Sequence, residues 1–178
     1  MTGKFWFDFL QERIFKPLGM TSTKLISEKD IITNRVSGYR LVDGQWKNPQ
    51  WMAPSLNTTA DGTLYTNVLD MAKWDAALYT EKLVKKSSFD QMWSPVKLNS
   101  GKPYPEGFGW TLSEVNWHRL VWKDGANDPF TTVMSRYVED HFTVVVLTNL
   151  GGDGSVPKRI ADEVAAIYIP ALRAPKAR

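Results

Sequence analysis

The stretch that most constrains what this chain can fold into is residues 121–149, VWKDGANDPFTTVMSRYVEDHFTVVVLTN. Two runs rich in Val, Thr, Phe and Tyr, residues 129–138 and 142–148, flank Glu139-Asp140. β-Branched and aromatic residues suit a pleated, packed surface, so the pattern predicts a hairpin reversing at Glu139-Asp140. Ahead of it, a strand is expected to end in Lys123-Asp124-Gly125, followed by a turn through Asn127-Asp128-Pro129. The unbroken run Val144-Val145-Val146-Leu147 predicts a strand buried on both faces, because a half-solvated strand would alternate.

The flanks supply helices. Thr2 can cap a first helix reaching Phe15, with Trp6, Phe9, Leu10 and Ile14 on one core-facing side and Pro17 and Gly19 ending it. Residues 39–42 and 45–47 around Asp43-Gly44 read as a two-residue hairpin. Residues 48–59, holding Trp51 and Met52, read as a long loop. Trp46, Trp51 and Met52 could either pin that loop or line a pocket. Thr66 or Asn67 can cap a second helix to Thr80, with Asp70 in its first turn and Val68, Met71, Trp74 and Leu78 as its apolar face. A short helix over 87–93, a Pro/Gly loop over 101–106 and strands over 108–115 and 117–122 follow. Ser155 and Pro157 open a last helix whose Ile160, Val164 and Ile167 need an apolar partner, which the strand of Val144 provides. The fold class expected is α+β, an antiparallel β-sheet with flanking helices.

Eight Trp, eight Phe and six Tyr provide material for a packed core in 178 residues, a length that fits one domain. No apolar run approaches the ~20 residues of a membrane span. The opening MTGKFWFDFLQERIF is no signal peptide, since Asp8 and Glu12 interrupt it. The absence of cysteine excludes disulfides and thiolate metal sites. The formal net charge of +3 resides in Arg173, Lys176 and Arg178, at the end of a tail expected to be frayed over 173–178. A body without a basic stripe lacks the footprint of a nucleic-acid binder. His118 and His141 lie in separate strands without other ligands beside them, so no metal and no cofactor is expected.

Three passages carry a resemblance. Residues 12–20, ERIFKPLGM, form a helix end followed by PLGM. Asp61-Gly62-Thr63-Leu64-Tyr65-Thr66 precedes Leu69-Asp70-Met71-Ala72, and Lys123-Asp124-Gly125-Ala126 ends a strand ahead of Leu147-Thr148-Asn149. In this order they resemble the serine β-lactamase-like superfamily, which includes class C β-lactamases, penicillin-binding proteins and related esterases and peptidases. The third passage is similar to its K-[TS]-G or H-x-G motif. The resemblance runs from about Gly3 to Leu172 and covers the C-terminal portion of that domain, so residues 1–178 are expected to form that portion.

The resemblance implies a partial β-lactamase/transpeptidase-like fold and acyl-enzyme chemistry on a β-lactam, ester or peptide in the complete protein. Its parent would be periplasmic or secreted, and its partner a small-molecule acyl substrate. Lys123 would hold the substrate carboxylate with Asp124 beside it, Gly125 would admit substrate backbone, and the Ala126 N–H would be one of two oxyanion donors. The family's S-x-x-K and Y-x-N motifs belong upstream of the PLGM helix. Within the chain only look-alikes occur, Ser94-Pro95-Val96-Lys97, Ser155-Val156-Pro157-Lys158 and Tyr65-Thr66-Asn67, all in the wrong order or context. Asp124 stands where Thr or Ser is usual and could neutralise Lys123, and Pro129 stands where a Gly usually precedes Phe. The chain is therefore expected to be catalytically incomplete. The other reading is a non-catalytic ligand- or partner-binding module of the same fold. An exposed sheet edge is expected to favour a homodimer.

Overall fold

The computed structural model describes residues 2–27, 29–49 and 60–173. Its strands are β1 (Lys24–Leu25), β2 (Tyr39–Val42), β3 (Gln45–Lys47), β4 (Leu64–Tyr65), β5 (Val96–Lys97), β6 (Pro103–Tyr104), β7 (Thr111–Val115), β8 (His118–Asn127), β9 (Phe130–Tyr137), β10 (Phe142–Thr148) and β11 (Leu150–Gly151). Its helices are α1 (Trp6–Leu10), α2 (Lys16–Leu18), α3 (Val68–Ala77), α4 (Lys86–Met92) and α5 (Val156–Tyr168). Among the described residues no helix is long and apolar enough to cross a membrane. The long loop with Trp51 and Met52, and Lys176 and Arg178 of the tail, lie outside the described residues. The chain divides into two compact units. One comprises Met1–Leu83, Ala126–Phe130 and Asn149–Gly152; the other Val84–Gly125, Thr131–Thr148 and Asp153–Arg178.

The second unit holds the main sheet, ordered β10-β9-β8-β7. The predicted hairpin is present, with Phe142 opposite Tyr137 and Thr148 opposite Thr131 in antiparallel register. Its burial differs from the hydropathy reading. Every residue of β10 is only half-buried, because β10 lies at the sheet's edge. The inner strand β9 is the buried one, and Ser135 and Arg136 are fully enclosed there. Arg136 spreads its guanidinium over the Trp93 ring, 5.2 Å from the centroid. Neither residue's polarity would mark a buried strand.

Helix α5 packs on β10, as expected, but through a different face. Pro157, Ala161 and Ala165 are buried, whereas Ile160 and Ile167 are exposed and Val164 is half-buried. Small side chains let the helix axis approach the sheet. The resulting core joins Leu120, Tyr137, Ala165 and Leu172, with Trp122, Phe142 and Val144 against it. The Pro/Gly loop over 101–106 also contains a short strand, β6, paired with β5.

In the first unit, α1, a π-helical turn Gln11–Phe15 and α2 run on without a break. The helix starts after Phe5 rather than at Thr2, and Pro17 lies in the first turn of α2 instead of ending the run. Because the run is continuous, Pro17 lies in its last turn, where it has no N–H to return to the turn before, and the run ends two residues later. Gly19 ends the helix at φ +68°, which suits a residue without a Cβ. The aromatic face is only partly covered: Phe15 is buried and Phe9 exposed. Asp43 and Gly44 both take positive φ, the geometry of the predicted tight hairpin.

Asp70 does more than complement a helix dipole. Its carboxylate, 1% exposed, accepts from the Ser22 N–H (2.8 Å), the Thr23 hydroxyl (3.0 Å) and Lys73 (2.9 Å), while Asn67 caps α3 by accepting from the Asp70 N–H (2.9 Å). Burial alone would raise its pKa; the donors from Lys73, Ser22 and Thr23 outweigh it and hold the carboxyl below its ordinary value. The stability this gives is present above the unfolded pKa and is lost as pH falls through the folded one. Asp70→Ala is expected to cost about 1–3 kcal/mol in urea denaturation. Asp70→Asn should flatten the acid limb of the stability profile.

Candidate active site

Strand β8 carries Lys123, Asp124, Gly125 and Ala126 at its C-terminal end, all exposed. The strand runs two residues beyond the expected stop at Gly125. Successive side chains of a strand alternate between faces. Lys123 and Gly125 therefore share the face of buried Val121, and Asp124 and Ala126 share that of Trp122. Asp124, expected to neutralise Lys123, thus stands on the opposite face of the strand. Among the described residues neither Lys123 nor Asp124 has a side-chain hydrogen bond or ion pair.

Gly125 lies against the next strand. A Cβ there would meet the Thr132 hydroxyl oxygen at 2.9 Å, and that hydroxyl donates weakly to the Gly125 carbonyl at 3.5 Å. Thr132 is half-buried on the Lys123 face, a neighbour that sequence reading missed. Its signal would have been register: Gly125 opposes it across the hairpin.

The turn after Ala126 is held from within the first unit. Asn127 Nδ2 donates to the Gly62 carbonyl at 2.7 Å. Arg40 forks onto Asp128, with Nε 3.0 Å from Oδ1 and Nη2 on Oδ2. Pro129, joined to Asp128 by a cis peptide bond, is buried over Gly38. Neither Arg40 nor Gly38 stands out in the sequence.

The look-alike motifs are engaged otherwise. Ser94 follows α4 and donates to the Asp90 carbonyl (2.5 Å), while Lys97 is on β5, so the pair does not share a helical turn. Ser155 precedes α5, and its Lys158 is bound by Asp162 (2.6 and 2.7 Å) above the Trp122 ring. Asn67 of Tyr65-Thr66-Asn67 caps α3. His118 pairs with Asp140 at 2.8 Å, and no cluster of three metal-binding side chains occurs among the described residues.

The Beta-lactamase family profile matches residues 1–168. Penicillin-binding protein 4* of Bacillus subtilis (strain 168) is 27% identical over 160 residues, covering 83% of this chain and 36% of that protein. The D-aminopeptidase of Brucella canis is 24% identical over 157 residues, covering 86% of this chain and 29% of the relative. Among solved structures, the octameric penicillin-binding protein homologue from Pyrococcus abyssi superposes with a TM-score of 0.75 at 26% identity. That match covers 92% of this chain and 37% of the other. The chain thus spans about a third of the length of the relatives it matches.

Proposed function

This chain belongs to the Beta-lactamase family, and on that footing we propose that it is the C-terminal part of a serine hydrolase that forms an acyl-enzyme in the complete protein. The observation that carries the reading is the strand end itself: an exposed Lys123 without a partner among the described residues, followed by Gly125 and Ala126. Lys123 draws in the negative end of an acyl substrate. Gly125, without a side chain, lets substrate backbone lie along the strand. The Ala126 N–H is one donor to the oxyanion of the tetrahedral intermediate. The nucleophile, its lysine base and the second donor come from a segment outside residues 1–178.

A serine hydroxyl is a weak nucleophile until a nearby base takes its proton. Neither look-alike serine has such a base, since Lys97 is on another element and Lys158 is held by Asp162. The same observation favours a second reading, a non-catalytic module that binds a ligand or partner at Lys123. The reading frame upstream of the Met1 codon separates the two. S-x-x-K and Y-x-N encoded there support the hydrolase; a frame with neither supports the binding module.

Self-association belongs to the same proposal. The B. subtilis relative and the P. abyssi structure are both described as penicillin-binding proteins or their homologues, and the latter as octameric. For this chain alone, β10, the terminal strand of the main sheet, is the surface through which two copies would pair.

A further inference from the structure

We propose that Arg40 is a positioning residue that acts through Asp128 to fix the direction of the Ala126 N–H; the role of that N–H rests on the function proposed above. Residues 127–129 join β8 to β9. Four sequence-distant groups of the first unit hold residues 127–129. Gly62 takes the Asn127 amide at 2.7 Å, and Arg40 takes both oxygens of Asp128. Gly38 and Gly151 leave the room that Pro129 and Asp128 occupy, where a Cβ on either would collide.

The small sheet β11-β2-β3 makes this arrangement possible. Gly151 stands in parallel register with Arg40, so the missing side chain lies beside the guanidinium that reaches for Asp128. The Tyr39 N–H bonds the Asn149 carbonyl at 2.8 Å, and Asn149 Nδ2 bonds the Ser37 carbonyl at 2.7 Å, fixing β11 against β2. Arg40 is thereby held as part of a three-stranded platform. Its fork onto a carboxylate sets direction as well as distance, because two parallel hydrogen bonds leave the pair little rotational freedom.

Arg40 and Asp128 are both partly exposed, with 38% and 31% of their side chains accessible. A pair so placed adds little to global stability. Geometry is what it supplies. A peptide plane is aimed by the residues on both sides of it. Pairing of β8 with β9 sets the side before Ala126, and the clamped turn sets the side after it. An oxyanion donor displaced by an ångström or tilted by tens of degrees loses most of its effect. The residue after a catalytic strand end is thus the place where a rigid turn changes chemistry rather than fold.

The test uses the ¹⁵N-labelled 178-residue chain with Arg40→Gln, Arg40→Lys and Asp128→Asn. In Arg40→Gln the Ala126 and Asn127 amide resonances should move, as those of a loosened turn do. The amides of Val133 and Val145 and the urea midpoint should stay as in the wild type. Arg40→Lys, which keeps the charge, should recover part of the change, and Asp128→Asn should reproduce it. An Ala126 amide unmoved in Arg40→Gln overturns the proposal. So does a general shift of resonances with a fall in midpoint, which would make the pair a structural support only. The functional reading fails separately: Ala126 would move in Arg40→Gln, while Lys123→Ala left acylation of the longer protein unchanged.

Discussion

The 178-residue chain on its own should leave a chromogenic β-lactam and a nitrophenyl ester unhydrolysed. Removing the nucleophile from a covalent hydrolase costs on the order of 10⁶ in turnover, and what survives comes from binding and the oxyanion hole. Here the surviving part shrinks further, because Ala126 offers one donor where the tetrahedral oxygen needs two, and one such donor is worth about 10²–10³. Ser94 and Ser155 do not fill the gap. The Ser94 hydroxyl is spent on the Asp90 carbonyl, and the lysine one turn beyond Ser155 is paired with Asp162. The assay therefore runs wild type beside Ser94→Ala, Ser155→Ala and Lys123→Ala. Rates equal to buffer in all four agree with this account. Turnover that a single serine substitution abolishes would show that a look-alike is the nucleophile.

The second large effect concerns association. Strand β10 presents seven residues, Phe142–Thr148, as the terminal strand of its four-stranded sheet. Natural edges are blunted by lysine, proline or a bulge, and FTVVVLT contains no lysine or proline. Nearby, Tyr168 packs on Phe142 with ring centroids 5.3 Å apart yet remains 69% exposed, and Ile167 is 65% exposed. A terminal strand beside apolar surface favours pairing of two copies about a two-fold axis. Light scattering should report a dimer or larger species. Val145→Lys sets a charge on the half-buried face away from Val144 and should shift the chain to monomer. A wild-type chain that stays monomeric at high concentration would refute the pairing.

Local chemistry is what the sequence displays most clearly. Asp43-Gly44 announced a tight hairpin because few residues accept two successive positive φ values, and both occur there. The Val, Thr, Phe and Tyr of residues 129–138 and 142–148 announced the long hairpin, and of the two expected caps, Thr66 and Asn67, it is Asn67 that caps α3. Strand order was hidden. Four consecutive apolar residues in β10 look like an interior strand, but edge or interior is decided by what pairs with them, and Thr131, Ser135 and Arg136 of β9 took the buried place. The α5 face misled for a related reason. Large apolar residues suggested contact, while alanines allowed the closer approach.

At the candidate site, Lys123 and Gly125 were visible through the resemblance, but their surroundings were not. Arg40 and Asp128 are 88 residues apart, and each is an ordinary polar residue in its own neighbourhood. The opposite placement of Lys123 and Asp124 follows from strand alternation alone, once β8 is known to run straight through them. A motif reading treats neighbours in sequence as neighbours in space. A strand separates them.

The central claim is that the Lys123 strand end serves an acyl-transfer site. Its most direct test is acylation of the longer protein, expressed from the reading frame extended upstream of Met1, followed by intact-mass spectrometry with a β-lactam and with a nitrophenyl ester. The account predicts one covalent acyl adduct on a serine of the added segment. It also predicts acylation slowed by about 10- to 100-fold in Lys123→Ala, the scale of a lost charged hydrogen bond. An adduct on Ser94 or Ser155, or acylation indifferent to Lys123→Ala, would contradict it.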